Sequence, residues 1–99
     1  MDFEAHVFVG SARITEEAGS EYSIGNRHAF LLYMKAAKDD EYDLAKADQF
    51  IGEAGLDEIE ISRSGKVDPL KINNLEKQEN FDNAMEAGYT LIVYSDPIK

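Results

Sequence analysis

The period with which apolar residues recur changes several times along the 99-residue chain, and these changes constrain its fold more than any other feature. Residues 56–62, LDEIEIS, alternate glutamate with isoleucine, which predicts a strand with one face on a core and one face in water. Residues 44–54 carry apolar side chains at helical spacing instead, at Leu44, Ala47, Ile51 and Ala54. Asp43 is expected to cap this helix and Gly55 to stop it. Both periods in one short chain predict an α+β domain.

The remaining apolar segments of the first half, and the last segment of the chain, are assigned in the same way. Residues 3–14 and 89–95 are rich in β-branched and aromatic side chains and are predicted to be strands. Residues 15–25 combine glycine, serine and glutamate, which favours a loop. Asn26 is a potential cap, and residues 27–38, RHAFLLYMKAAK, are predicted to form a largely buried helix after it.

Turn and cap residues divide the second half of the chain. Residues 63–66, RSGK, form a turn signal, after which residues 66–72 are predicted to return as the second arm of a hairpin. The proline within that arm keeps it short and near a sheet edge. Asn73 and Glu76 resemble a capping box, which predicts a helix that ends at Ala87.

The resulting order is strand, helix with a second helical segment, strand, strand, helix, strand. This is the order of the ferredoxin-like (βαββαβ) arrangement, in which helices pack on one face of a sheet of about four strands. We expect residues 1–99 to form one such domain. The fit is imperfect, because the first and last strands are the most apolar, whereas that arrangement places only the first and third strands in the middle of the sheet.

Composition excludes several classes of function. The chain has no cysteine, which excludes disulfides, thiolate nucleophiles and cysteine-based zinc sites. The N-terminal residues lack the pattern of a signal peptide, and no segment approaches a transmembrane helix, so we expect a cytoplasmic protein. Twenty acidic and ten basic side chains give a net charge of −10, which makes direct nucleic-acid and membrane partners unfavourable.

No motif in the chain predicts a cofactor or a metal. The glycines are too widely spaced for a phosphate-binding loop. Asp39, Glu41 and Asp43 alternate as the first ligands of an EF-hand would, but the rest of that pattern is missing. Leu44 stands where the loop needs glycine, and Phe50 stands where it needs glutamate. We therefore predict no catalytic or metal-ligating set from motifs.

The two histidines leave one alternative open. His6 lies in a predicted strand and His28 in the first turn of a predicted helix, and either imidazole could serve as a general base or as a metal ligand. The alternative function is therefore a small enzyme or metal-binding domain with a site around His6 and His28.

The leading hypothesis comes from the acidic middle of the chain, since residues 35–62 hold nine acids and three bases. A helix N-terminus favours one or two of these acids but not all of them. We therefore expect a non-enzymatic acidic protein that covers a basic surface of a partner protein. If that partner holds nucleic acid, the carboxylates would mimic phosphates, as in the classes of nuclease inhibitors, immunity proteins and phage anti-defence proteins. The predicted contact residues are Asp39, Asp40, Glu41, Tyr42, Asp43, Asp48, Glu58 and Glu60.

Two further readings remain beside this hypothesis. The acidic residues could form only a solvated surface that keeps the protein in solution. A homodimer could form by pairing of an edge strand, with residues 66–72 as a weak candidate because a proline opposes pairing.

Overall fold

The computed structural model describes residues 3–16 and 24–97, which form a small α+β fold with a four-stranded antiparallel sheet and two helices. The expected loop at 15–25 falls largely outside these described residues. The strands are β1 (Phe3–Ile14), β2 (Arg27–Ala37), β3 (Leu56–Lys66) and β4 (Tyr89–Pro97). The helices are α1 (Leu44–Glu53) and α2 (Leu75–Ala87).

The order of strands in the sheet is β3-β1-β2-β4, and each neighbouring pair is antiparallel. β1 and β2 form the central hairpin, with Phe3 opposite Ala37 and Arg13 opposite Arg27. β3 and β4 are the two edges. This order differs from that of the ferredoxin-like arrangement, so that finer prediction of the fold is not met.

The prediction of a helix at residues 27–38 is wrong, and it is the largest difference between the expected and the observed fold. Arg27–Ala37 is a strand, which changes the element order to ββαβαβ. The segment is apolar on both faces because it lies in the middle of a sheet covered on both sides. A continuous apolar run of this kind does not distinguish a buried strand from a buried helix.

The predicted hairpin at residues 56–72 is also wrong. RSGK does not turn the chain but continues β3 to Lys66. Pro69–Lys71 then form one turn of 3₁₀ helix, in which the carboxylate of Asp68 accepts a hydrogen bond from the amide of Leu70 at 3.0 Å. The expected second arm, and with it the candidate edge for dimer pairing, is therefore not a strand.

The two helices cover opposite faces of the sheet. Ala47 and Ile51 of α1 join the buried cluster that contains Phe8 and Leu32, whereas Tyr33 points the other way because strand residues alternate between faces. Tyr33 is buried against α2, where its hydroxyl interacts with the side chain of Asn80, and this burial raises the pKa of Tyr33. The expectation of helices on one face is not met.

The predicted helix boundaries are close to those observed. Asp43 caps α1 by accepting a hydrogen bond from the amide of Lys46 at 2.9 Å, as expected. Asn74, rather than the predicted Asn73, caps α2 through the amide of Lys77 at 2.8 Å. α1 has 10 residues and α2 has 13, and no helix in the described ranges is long and apolar enough to cross a membrane.

Candidate functional site

A cleft of about 380 Å³ lies where the end of β2 leads through residues 38–43 into α1. Phe3 and Phe50 contribute aromatic surface to its lining. Three carboxylates, those of Asp40, Glu41 and Asp43, also line the cleft, together with Lys35, Lys46, Met34 and His6. The cleft thus combines an apolar lining with an excess of negative charge.

His6 is the buried polar group of this cleft. Its side chain is fully buried, and its Nε2 lies 2.5 Å from Oε2 of Glu4. The ring of Tyr42 packs edge-on against the imidazole, with 4.8 Å between the ring centroids. Nδ1 of His6 has no hydrogen-bond partner among the residues that the structure describes.

Glu4 connects His6 to the acidic segment. Its Oε1 accepts a hydrogen bond from the amide of Asp39 at 3.0 Å, and its Oε2 lies 3.5 Å from Nζ of Lys66. The hydrogen bond from the Asp39 amide, followed by that from His6, holds the pKa of Glu4 below its ordinary value of 4.5. Because an ionised carboxylate only accepts hydrogen bonds, Nε2 of His6 carries a proton and Nδ1 is its open position.

The contact with Glu4 also fixes the backbone at Asp39. This residue adopts a positive φ of 63°, a conformation that aspartate tolerates better than most residues. Nζ of Lys66 lies 3.7 Å from Oδ1 of Asp39 on the same side. Glu4 and Lys66 therefore define where the acidic segment leaves the sheet.

Five of the eight predicted contact residues form the continuous segment 39–43, of which Asp40, Glu41 and Asp43 line the cleft. Asp40 and Glu41 are exposed, and neither is ion-paired to a cation within the described residues. The ring of Tyr42 packs on His6 and Phe8, while 40% of the residue stays exposed. This group is an exposed anionic segment with an anchored aromatic ring.

Asp48 does not belong to that group. It lies on α1 two residues after Lys46, which lines the cleft. Side chains two positions apart on a helix point about 200° apart around its axis. Asp48 is exposed on the side of α1 that faces away from the cleft.

Glu58 and Glu60 are separated from the cleft and neutralised. Nε of Arg13 lies 2.8 Å from Oε2 of Glu58, and a guanidinium nitrogen of Arg27 lies 3.7 Å from Oε2 of Glu60. Arg13 is nine positions from Glu4 along β1, a distance of about 30 Å at the rise of a strand. The expected acids of the chain's middle are therefore not one continuous surface.

The same arginine has a second partner that sequence reasoning missed. Arg13 binds Asp57 with two hydrogen bonds, of 2.7 Å from Nε and 2.5 Å from Nη2. The pair lowers the pKa of Asp57 and raises that of Arg13. The pair links β3 to β1. Because both side chains are partly exposed, it contributes little to the free energy of unfolding.

The structure does not bring the two histidines together. His28 lies opposite Ala12, six positions from His6 along β1, which corresponds to about 20 Å. Nδ1 of His28 lies 2.7 Å from the carbonyl oxygen of Tyr94. Across the described residues, no group of three or more histidine, aspartate or glutamate side chains is placed to hold a metal ion.

Sequence reasoning also missed Glu4 as part of the site. Glu4 and His6 are two residues apart in a strand and so point to the same face, which was a usable signal. Lys66 could not be found in this way, because its approach depends on the pairing of β3 with β1.

Comparisons of this chain with known protein families, with characterised proteins and with solved structures give no match. The geometry of the cleft and the charges around it are therefore the basis for proposing a function.

Proposed function

We propose that this protein is a non-enzymatic binding protein that uses the acidic segment at the cleft to hold a basic surface of a partner protein. One observation carries the proposal: Asp40 and Glu41 are exposed beside the cleft without an ion-pair partner among the described residues. A structural ion pair would have explained these carboxylates, as it explains Glu58 and Glu60.

The charge of the whole chain supports the same reading. A net charge of −10 gives a negative field that attracts cationic surfaces and raises their association rates. A protein that ordinarily binds nucleic acid presents such a cationic surface, and exposed carboxylates can occupy the positions of phosphates on it. Such a partner is the one that we propose, in the manner of an inhibitor or immunity protein.

Tyr42 gives the proposed surface an anchor. Its ring packs edge-on against His6 and Phe8, and 40% of the residue stays exposed and can contact a partner. Tyrosines that lose little entropy on binding are frequent among the residues that dominate interface energies. Residues 39–43 are therefore the proposed contact segment, whereas Asp48, Glu58 and Glu60 lie outside it.

The proposal is tested by charge reversal with a matched control. The test variant is Asp40→Lys with Glu41→Lys, and the control is Glu79→Lys with Glu86→Lys, which changes the net charge equally on exposed positions of α2. Immobilised wild-type protein captures partners from a lysate of the native host, and the affinity of each purified partner is then measured for all three proteins. We expect the test variant to lose binding and the control to keep it.

Salt provides the second arm of the test. Raising the salt concentration from about 0.1 M to about 1 M shortens the Debye length from about 10 Å to about 3 Å, so the affinity of a basic partner must fall steeply. Equal losses in the test and control variants, or an affinity independent of salt, would contradict the proposal. The acidic residues would then serve only as solvated surface.

A further inference from the structure

We infer that the cleft beside His6 binds the cationic end of an arginine or lysine side chain, with Nδ1 of His6 as the hydrogen-bond acceptor. The inference rests on the proposed function, because it names the chemical group that the partner inserts. It also goes beyond that function, because it assigns a hydrogen-bonding role to one atom of the buried His6, whereas the proposed function needs only the exposed acidic segment.

The first step is the direction of hydrogen bonding at the imidazole. Glu4 is a carboxylate that already accepts from the amide of Asp39, and the imidazole donates to it through Nε2. In the neutral imidazole, Nδ1 then holds a lone pair and can only accept. This atom is buried without a partner among the described residues, which is unfavourable until a donor reaches it.

The second step is the charge of that donor. Asp40, Glu41 and Asp43 line the same cleft and favour a cation there. Two lysines also line it and oppose a cation, but their ammonium groups lie over aromatic rings. Lys35 is 4.1 Å from the ring centroid of Phe3, and Lys46 is 5.8 Å from that of Phe50. The lining therefore holds more carboxylates than cations, three against two, and these carboxylates would repel an anionic ligand.

The third step is the size and lining of the cleft. A volume of about 380 Å³ lies at the lower end of the range of small-molecule sites, about 300–1,000 Å³, and suits one long side chain. Met34, Phe3 and Phe50 supply apolar surface for the aliphatic stem of arginine or lysine, whose charged end needs the polar groups. The ring of Tyr42 covers the imidazole and is the residue that must shift for direct contact.

The direct test is a titration of the ¹⁵N-labelled protein, observed by nuclear magnetic resonance at the imidazole nitrogens. The probes are N-acetyl-arginine amide and N-acetyl-lysine amide, and N-acetyl-citrulline amide is the uncharged control of nearly the same shape as arginine. We expect a saturable shift of the Nδ1 resonance of His6 with at least one cationic probe, and none with citrulline. The chain has two histidines, so His28 is an internal reference that should not respond.

Two variants separate the acceptor from its surroundings. His6→Gln places an amide group where it can donate to Glu4 in place of Nε2 but removes Nδ1, so the probe should bind about tenfold more weakly or worse. Asp40→Asn with Glu41→Gln keeps Nδ1 of His6 but removes two negative charges from the cleft. This double variant should bind the cationic probes more weakly and leave the citrulline probe unchanged. If His6→Gln fails to fold, the titration of the wild-type protein decides the inference by itself.

Other outcomes overturn the inference. Citrulline that binds as well as arginine would show that charge does not select the ligand, and an Nδ1 resonance that no probe changes would indicate a bound water only. A purified partner that binds His6→Gln as tightly as wild type, but not the Asp40→Lys and Glu41→Lys variant, would refute this inference and leave the proposed function standing. A partner that is insensitive to all of these changes would refute both.

Discussion

Gly10 lies where β1 approaches β3 closely, and replacing it with alanine tests the packing of β3 on β1. An ideal Cβ atom at Gly10 would lie 1.9 Å from the carbonyl oxygen of Glu60 and 2.9 Å from Cα of Ile61. Both atoms belong to the backbone of β3, which cannot rotate away as a side chain can. The pairing of β1 with β3 shifts register between Val9 and Gly10, so the close contact coincides with a bulge.

The expected cost follows from the displacement that alanine requires. The β3 backbone would have to retreat by about 1.5 Å to restore an ordinary contact, and overpacking of this kind costs about 1–3 kcal/mol. Displacing β3 also weakens adjacent ladder hydrogen bonds, each worth about 1 kcal/mol net. We therefore expect Gly10→Ala to lower the free energy of unfolding by about 3–5 kcal/mol, a large part of the 5–15 kcal/mol typical of a domain.

Urea unfolding followed by far-ultraviolet circular dichroism measures this change, and thermal unfolding should show a fall in Tm of at least about 12 °C. Gly52→Ala is the matched control, because Gly52 lies in α1 and nothing stands within 4 Å of its ideal Cβ. Gly52 lies in the last turn of α1, so replacing it with alanine should stabilise the protein by no more than about 0.5–1 kcal/mol. A Gly10→Ala variant within about 0.5 kcal/mol of wild type would refute the close approach.

Three further predictions concern the site and the core. The pKa of Glu4 is lowered chiefly by the Asp39 amide, so the ionised Glu4 stabilises the fold fully above pH 4.5 and this stabilisation is lost as the pH falls through the folded-state pKa. Glu4→Gln should therefore reduce the loss of stability at acid pH, measured by urea unfolding across the pH range, and an unchanged acid slope would contradict this role of Glu4. Asp43→Ala removes the cap of α1 and should cost about 1 kcal/mol in chemical unfolding, whereas Asp40→Ala should cost almost nothing; equal effects would contradict the capping role. Ile51→Ala should cost about 2–5 kcal/mol because Ile51 is fully buried, against almost nothing for Leu75→Ala, which is 82% exposed, and a small loss at Ile51 would contradict the core assignment.

Local signals were sufficient for much of the fold. The caps of α1 and α2 depend on side chains that bond their own helix, and β1 and β4 follow from β-branched and aromatic composition. The alternation at 56–62 identified β3, although the strand runs on to Lys66. Each of these features is decided within a few residues, so a single sequence carries enough information.

β2 could not be predicted in this way because its environment is decided by distant parts of the chain. Leu31, Leu32, Tyr33 and Met34 are apolar on successive positions, as in a helix buried all round. The segment is a strand because β1 pairs along one side of it, β4 pairs along the other, and a helix covers each face. Alanine, leucine and methionine favour a helix by about 0.5 kcal/mol each or less relative to strand formers, which such packing overrides.

In the candidate site, too, local features could be predicted from the sequence and features that depend on distant residues could not. The acidic character of residues 39–43 was visible as composition, and Tyr42 was among the predicted contact residues. The neutralisation of Glu58 and Glu60 was not, because it requires the register that places Arg13 and Arg27 beside β3. The buried state of His6 was equally hidden, since it depends on the turn that carries Tyr42 over the imidazole.

The register of β1 explains why the acids at its two ends differ in their partners. At one end of this strand, Arg13 binds Asp57 and Glu58, of which Glu58 is an acid that the sequence assigns to a binding surface. At the other end, Glu4 adds a carboxylate and fixes the start of the acidic segment through the amide of Asp39. A one-residue slip of β3 against β1 would turn every β3 side chain to the other face, which would break these ion pairs and bury Glu58 and Glu60 in the core. The same pairing that stabilises the sheet therefore neutralises Glu58 at one end of β1, and at the other end it positions the start of residues 39–43, where Asp40 and Glu41 stay exposed.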